Sequence, residues 1–222
     1  MVPPLAVDID GTLSRADRSI DPRVFDVLRG WDAPVVIATG KALPFPVALA
    51  QFVGIPERVI AENGGVSLVD AELAVHGDRT AADAVASEYE AAGHDLGWGT
   101  LDLANRWRET EVAVSLDAPL EPLVEIAARH DLEVVDTGFA YHVKSPDVDK
   151  GAALTEVASV LDRSPTDFAA IGDSENDVGM MDRSGRSYAV ANADDAAKDA
   201  ADVVTVGSYA DGFLEATDAI RD

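Results

Sequence analysis

The stretch Leu5-Ala6-Val7-Asp8-Ile9-Asp10-Gly11-Thr12 decides the fold of this 222-residue chain, because an apolar run here leads into two aspartates. Two prolines precede the run and a glycine follows it, which is typical of a buried strand between residues that break secondary structure. In an open parallel sheet, ligands bind at the carboxyl ends of the strands. The stretch therefore predicts a strand whose end carries a binding site.

The two aspartates of this stretch, Asp8 and Asp10, are two residues apart. Their side chains share a face if the backbone stays extended. Two carboxylates this close repel each other unless a cation lies between them. The alternative interpretation of the segment is an ordinary Asp-Gly turn.

A second apolar run, residues 34–38, ends at Thr39-Gly40-Lys41. The run does not alternate with polar residues, as is typical of parallel strands that are covered on both faces. A hydroxyl group and bare backbone amides at the end of a strand can hold a phosphate oxygen. An ordinary strand-to-helix turn is the alternative.

Lys150 stands at the start of a helix that Asp149 is expected to cap. A cation at this end opposes the helix dipole, so we expect an anion near the lysine. A surface lysine is the alternative.

A third apolar run, residues 168–171, ends in Gly172-Asp173-Ser174-Glu175-Asn176-Asp177. A turn after the strand can direct Asp173 and Asp177 at one point. The alternative is a cluster of acids that caps the next helix.

Taken in order, these four segments resemble the four signatures of the haloacid dehalogenase superfamily of phosphatases. The resemblance implies an aspartyl-phosphate mechanism in which Asp8 is the nucleophile and Asp10 is the general acid and base. It also implies that Thr39 and Lys150 bind the substrate phosphate. Lys41 stands where relatives usually carry arginine, which replaces a planar fork of donors with a point charge.

The resemblance further implies a Mg²⁺ site. By this similarity Asp8 and Asp173 coordinate the metal through their side chains, Asp10 through its backbone carbonyl, and Asp177 directly or through water. Mg²⁺ suits such a set because it is hard and prefers oxygen ligands, waters and phosphate oxygens.

The order of apolar runs and helices predicts an α/β fold with a parallel sheet and a separate α+β layer. The resemblance implies that these are a doubly wound parallel sheet and an inserted α+β cap. We expect residues 1–78 and 148–222 to form the catalytic core and residues 79–147 to form the cap. The cap is predicted to contain a helix from Ala81 to Ala92, capped by Thr80. The Glu62-Asn63-Gly64-Gly65 turn resembles a feature of the Cof-type branch of the superfamily, which inserts its cap at this place.

Within the cap, Arg106-Trp107-Arg108-Glu109 is a pair of cations in an acidic protein. One arginine is a candidate to bind the non-phosphate end of the substrate, for instance a carboxylate held in a bidentate pair. Solvated surface charge is the alternative. His94, His130 and His142 lack metal-ligand spacing and are interpreted as structural or exposed.

The short cap, the Arg-Trp-Arg-Glu segment and the stretch from Gly138 to His142 are most similar to the archaeal phosphoglycolate phosphatases. That resemblance implies hydrolysis of 2-phosphoglycolate to glycolate and phosphate. A sugar phosphate phosphatase, related to those acting on sucrose phosphate or mannosylphosphoglycerate, is the alternative. A catalytically silent phosphate-binding module is a third class. In such a module Asp8 or Asp10 would be replaced, whereas this chain has both.

The chain carries 41 acidic and 17 basic residues, a formal net charge of −24. Such a field repels nucleic acids and anionic membranes, so we expect neither as a partner. The resemblance implies a small phosphorylated metabolite instead. The absence of cysteine and of a long apolar run favours a cytoplasmic protein. We expect either a monomer or a homodimer. Acidic residues occur throughout the folded segments, which suggests adaptation to high salt of the haloarchaeal kind.

We predict that the melting temperature rises between low salt and molar KCl, because screening removes the self-repulsion of a compact acidic protein. Thermal unfolding followed by circular dichroism at the two salt concentrations measures this. A melting temperature that stays level or falls would contradict the interpretation.

Overall fold

The computed structural model describes residues 2–221; Met1 and Asp222, the outer ends of the predicted core segments, lie outside them. An eight-stranded sheet runs through the molecule in the order β11-β10-β9-β1-β2-β3-β4-β5. Its strands are β1 (Leu5–Val7), β2 (Val35–Ala38), β3 (Arg58–Ala61), β4 (Val66–Val69), β5 (Glu72–Val75), β9 (Ala169–Gly172), β10 (Arg186–Ala189) and β11 (Val203–Val204).

The six strands from β11 to β3 are parallel to one another, and β4 and β5 continue the sheet as an antiparallel hairpin. Strand β1 lies between β2 and β9, with Val7 opposite Ile37 on one side and Ile171 on the other. The sheet is therefore mainly parallel, as predicted, and its central strand is the one that ends at Asp8.

Helices cover both faces of this sheet, because the apolar side chains of each strand alternate between two cores. Leu5 and Val7 belong to one core and Ala6 to the other. Helices α1 (Arg23–Arg29), α2 (Pro44–Val53) and α8 (Tyr209–Arg221) contribute to the first core. Helices α5 (Lys150–Val160), α6 (Val178–Arg183) and α7 (Asp195–Ala200) contribute to the second. Within residues 2–221, every helix is too short or too polar to cross a lipid bilayer.

A second, smaller sheet has a core of its own. Strands β6 (Val112–Ser115), β7 (Glu133–Asp136) and β8 (Ala140–Lys144) are antiparallel, with β8 in the centre. Helices α3 (Arg79–Ala91) and α4 (Leu120–Arg129) pack on it and share its buried apolar cluster. These elements follow one another in the chain, so residues 79–144 form a continuous α+β unit.

The N-cap residue predicted for helix α3, Thr80, was wrong by two residues. The helix begins at Arg79, and the side chain of Asp78 accepts a hydrogen bond of 2.9 Å from the backbone N–H of Ala81. Aspartate and threonine are both good N-caps, so residue type alone did not distinguish them.

Two residues of α5 allow a matched test of the core. Leu154 is fully buried, whereas Val160 on the same helix is half-exposed. We predict that Leu154→Ala lowers the free energy of unfolding by about 2–5 kcal/mol, since it leaves a cavity, and that Val160→Ala costs less than about 1 kcal/mol. Chemical denaturation in molar KCl measures both, and equal losses would contradict the assignment of α5 to this core.

Candidate active site

The candidate site lies at the carboxyl edge of three neighbouring strands. Asp8 follows β1, Thr39 follows β2 and Asp173 follows β9. Asp8 and Thr39 are buried and Asp173 is partly buried. Because parallel strands end at the same edge of a sheet, residues that are far apart in the sequence meet here.

Three carboxylates form a cluster at this edge. One oxygen atom from each of Asp8, Asp173 and Asp177 lies within 4.8 Å of the others. Gly11 makes this approach possible: its φ is +86°, and a Cβ atom there would lie 2.0 Å from Oδ2 of Asp173. A larger residue at Gly11 would therefore displace one of the acids.

Lys150 is the cation of this cluster. It is fully buried, and its Nζ donates to Oδ1 of Asp8 and to Oδ1 of Asp177, both at 2.7 Å. Burial alone would lower the pKa of Lys150, but the two carboxylates outweigh it and raise the pKa above the usual range. The lysine therefore stays charged.

One lysine does not compensate three acids. Burial raises the pKa of Asp8 to about 7, and the neighbouring Asp177 and Asp10 add to the rise against the opposing effect of Lys150. Burial, followed by the charges of Asp8 and Asp177, raises the pKa of Asp173 to about 9. The cluster is short of positive charge near neutral pH.

The oxygen atoms of the cluster are not equally available. Both oxygens of Asp177 are engaged, Oδ1 by Lys150 and Oδ2 by the backbone N–H groups of Asp173 and Ser174 at 3.0 and 3.2 Å. Oδ2 of Asp8 and Oδ2 of Asp173 accept no hydrogen bond from any residue between 2 and 221. Two open carboxylate oxygens in a site that lacks positive charge suit a hard divalent cation.

Asp10 lies beside this cluster rather than in it. Its carboxylate meets Nζ of Lys41 at 3.0 Å and is about one-third exposed. The backbone of Asp10 is extended (φ −79°, ψ 121°), and the left-handed Gly11 follows it. Thr39 is tied to the same lysine, because its Oγ1 accepts a hydrogen bond of 3.2 Å from the backbone N–H of Lys41.

Asp8 and Asp10 line a pocket with a volume of about 40 Å³. The α+β unit closes its far side with four residues: Arg108, Thr137, Phe139 and His142. Phe139 also covers Nζ of Lys41, which lies 5.1 Å from the centre of its ring. The pocket is thus bounded jointly by the large sheet and by the smaller unit.

A family model described as a haloacid dehalogenase-like hydrolase matches residues 5–87 and 125–216. The chain belongs to this family. The hydrolase is 64% identical over 219 residues to "Phosphoglycolate phosphatase" of Halobacterium salinarum, with coverage of 99% of this chain and 97% of the relative. It is 60% identical to the protein of the same name from Natronomonas pharaonis, with coverage of 100% and 99%.

Solved structures share the fold of this hydrolase. Protein 0175 of Thermoplasma acidophilum is 24% identical, with a TM-score of 0.88 over 100% of this chain and 99% of that one. A haloacid dehalogenase-like hydrolase from Bacteroides thetaiotaomicron is 18% identical, with a TM-score of 0.79 over 99% and 100%. The resemblance to haloacid dehalogenases and the predicted α/β fold are therefore confirmed.

A buried polar network joins the smaller unit of the hydrolase to its large sheet. Glu111 accepts hydrogen bonds from Nδ2 of Asn63 (3.0 Å), from Nδ1 of His142 (2.7 Å) and from Nη1 of Arg108. Burial alone would raise the pKa of Glu111, but His142 and Arg108 outweigh it and hold the pKa near 2. Oδ1 of Asn63 in turn accepts a hydrogen bond of 2.9 Å from Asn176.

Sequence reasoning missed part of this arrangement. The sequence predicts only a turn at Glu62–Gly65, yet Asn63 supports the network and Glu62 accepts hydrogen bonds from the backbone of Glu109 and Thr110. The sequence predicts that His142 is structural or exposed; it is buried, as a structural residue would be, and in addition it lines the pocket. Its position in the motif Gly138–His142 was the available signal, but residue spacing does not reveal which face of a strand meets a pocket.

The raised pKa values predict how the site responds to pH. Unfolded aspartates release their protons near pH 4, whereas folded Asp8 and Asp173 keep them to about pH 7 and 9. The folded metal-free protein then binds more protons than the unfolded chain, so this pair makes its free energy of unfolding fall as pH rises through that window. A divalent cation displaces these protons and binds more tightly at high pH.

We therefore expect millimolar MgCl₂ to raise the melting temperature more at about pH 9 than at about pH 6, where protons compete for the acids. Differential scanning fluorimetry in molar KCl measures the two increments, with extra KCl as the ionic-strength control. Asp173→Asn should reduce the increment at both values of pH. An increment in the native protein that is the same at both would contradict the prediction.

Proposed function

We propose that this hydrolase converts 2-phosphoglycolate and water to glycolate and phosphate. The observation that carries the proposal is the 64% identity, over 99% of the chain, to the phosphoglycolate phosphatase of Halobacterium salinarum. The geometry of the site supports the chemistry, because acids and a hydroxyl group lie at adjacent strand ends and the buried lysine at the start of α5 contacts Asp8.

Asp8 is the nucleophile in this proposal. One of its carboxylate oxygens attacks the phosphorus atom, and the bond from phosphorus to the glycolate oxygen breaks. The product of this step is an aspartyl-phosphate on Asp8. Water then attacks the same phosphorus, the bond to Asp8 breaks, and phosphate leaves with the carboxylate restored.

Asp10 moves the protons of both steps. It gives a proton to the departing glycolate oxygen and afterwards takes one from the attacking water. Two features support this role: Asp10 lines the same pocket as Asp8, and it stays outside the triad of carboxylates. Its pairing with Lys41 holds the carboxyl group in place.

Lys150 and Thr39 bind oxygen atoms of the phosphate. The buried ammonium group of Lys150 already contacts Asp8 at 2.7 Å, so an attacking carboxylate and an incoming phosphate would share one cation. The hydroxyl group of Thr39 lies at the end of the neighbouring strand, beside the bare backbone of Gly40.

Mg²⁺ is the proposed cofactor, held by the side chains of Asp8 and Asp173, the backbone carbonyl of Asp10, and Asp177 directly or through water. When bound, it supplies positive charge that offsets the repulsion between Asp8 and the phosphate. The open Oδ2 atoms of Asp8 and Asp173 support their direct roles. The engaged oxygens of Asp177 favour its action through water and through Lys150.

We also propose that the two parts of the chain have separate roles. Residues 1–78 and 148–222 form the catalytic core, and residues 79–147 form a cap that encloses the substrate. The contacts of Arg108 and Phe139 with the pocket support this role. A cap that opens and closes would admit the substrate and exclude bulk water during the phosphoryl transfer.

We predict that Asp8→Asn lowers the turnover number for 2-phosphoglycolate by at least about a thousandfold, because the amide is not a nucleophile. Phosphate release in molar KCl with Mg²⁺ measures it. Asp182→Asn makes the same charge change on the surface of α6 and should leave turnover intact. Substantial hydrolysis by a folded Asp8→Asn protein would refute the nucleophile assignment.

The substrate itself is tested by comparing phosphate release from 2-phosphoglycolate, sucrose phosphate, mannosylphosphoglycerate and nucleotides under the same conditions. We expect the highest kcat/KM for 2-phosphoglycolate, because relatives that are 60–64% identical carry the name phosphoglycolate phosphatase. A higher value for a sugar phosphate would favour the alternative function.

A further inference from the structure

We propose that Arg108 binds the carboxylate group of the substrate through Nη2, and that Glu111 positions it for this contact. The inference rests on the proposed function, since it concerns the end of phosphoglycolate that is not phosphorylated. It assigns the specificity of the site to a cap residue rather than to the core that carries out the chemistry.

The first observation is the number of donors that Arg108 has left. Of its five N–H groups, the one on Nε donates to the carbonyl oxygen of Ala104 at 2.9 Å. The two on Nη1 donate to the carbonyl oxygen of Gly40 at 2.9 Å and to Glu111. Across residues 2–221, no group accepts a hydrogen bond from Nη2. Two donors of a charged group thus remain unused.

The second observation is where these donors lie. Arg108 is only 8% exposed, yet it lines the pocket into which Asp8 opens. Nη2 is not among the buried atoms that lack a partner, so it is accessible from the pocket, where an anionic ligand would accept a charge-assisted hydrogen bond from it. Because the phosphate end of the substrate must meet Asp8, the other end is the part that can reach Arg108.

The third observation concerns the other cations of the site. Lys150 is held between Asp8 and Asp177, and Lys41 is paired with Asp10. The carboxylate of the substrate would be repelled by these acids unless a further cation of the protein contacted it. Among the described residues that line the pocket, Arg108 is the cation that no core carboxylate engages.

Glu111 positions the arginine. Its carboxylate is fully buried and also receives donors from His142 and Asn63. Because Nη1 is saturated by Glu111 and Gly40, a substrate carboxylate finds Nη2 alone. The proposed contact is therefore made through one nitrogen, in place of the bidentate pair given as an example in the sequence analysis.

Arg106 provides a matched control. It is two residues away in the same segment, but it is exposed and does not line the pocket. Its removal makes the same change in charge without touching the proposed contact.

The test compares 2-phosphoglycolate with 2-hydroxyethyl phosphate, which has the same chain length but ends in a neutral hydroxyl group. Steady-state kinetics are measured with Mg²⁺ in molar KCl for the native protein, Arg108→Gln and Arg106→Gln. We expect Arg108→Gln to lower kcat/KM for phosphoglycolate by about 10- to 100-fold, the effect of one lost hydrogen bond to a charged group. For the neutral substrate it should fall by less than about threefold, and Arg106→Gln should change neither.

Arg108→Gln removes one hydrogen-bond donor from the buried carboxylate of Glu111, which could make this variant unstable. Two further variants keep the test decisive in that case. The double variant Arg108→Gln/Glu111→Gln removes both charges, and it should show the same selective loss on phosphoglycolate. Glu111→Gln alone should raise KM for phosphoglycolate more than it lowers kcat, as expected for a residue that orients a binding group. Melting temperatures verify that each variant is folded.

Equal losses on both substrates, or no loss on either, would overturn the role of Arg108 while leaving the proposed phosphatase intact. If the native protein releases phosphate from 2-hydroxyethyl phosphate but not from phosphoglycolate, the proposed function itself is wrong and this inference falls with it. The two failures are therefore distinguished by the native protein alone.

Discussion

The buried lysine between two aspartates is the interaction on which the rest of the site depends. Nζ of Lys150 lies 2.7 Å from both Asp8 and Asp177, and none of the three groups is appreciably exposed. Desolvating these charges is costly, and a buried pair from which one partner is removed loses about 3–5 kcal/mol. Such an arrangement is weak evidence for stability by itself. Its value here is that it places a permanent cation beside the carboxylate proposed to attack phosphorus.

The same arrangement explains why the site has an affinity for more positive charge. Three acids meet one lysine, and the pKa values of Asp8 and Asp173 rise as a consequence. The protein keeps these acids together through the backbone, because Gly11 allows the close approach of Asp173 and the loop N–H groups hold Asp177. The fold thus imposes a repulsion that protons or a divalent cation relieve.

The second unit contributes in a different way, through contacts that cross to the large sheet. Arg108 donates to the carbonyl oxygen of Gly40, and Glu111 receives the amide of Asn63. Asn63 is linked in turn to Asn176 in the loop that carries Asp173 and Asp177. If the proposed cap opened, the hydrogen bonds from Arg108 to Gly40 and from Asn63 to Glu111 would break together, so the position of the cap and the acidic loop are connected through Asn63. Coupling of this kind suits an enzyme that must admit a substrate and then exclude water.

The sequence by itself determined the α/β class, the strand ends that carry Asp8, Thr39 and Asp173, and the N-cap that places Lys150 at the start of a helix. These features are local: an apolar run, a breaking residue and a capping residue are readable within about ten positions. Only the tertiary structure decided which arginine of the Arg106–Glu109 segment meets the pocket, that His142 lines it, and that Asn63 links the two parts of the chain. Those facts depend on how the smaller sheet is placed against the larger one. That placement is set by buried polar contacts between residues dozens of positions apart, which leave no periodic pattern in the sequence.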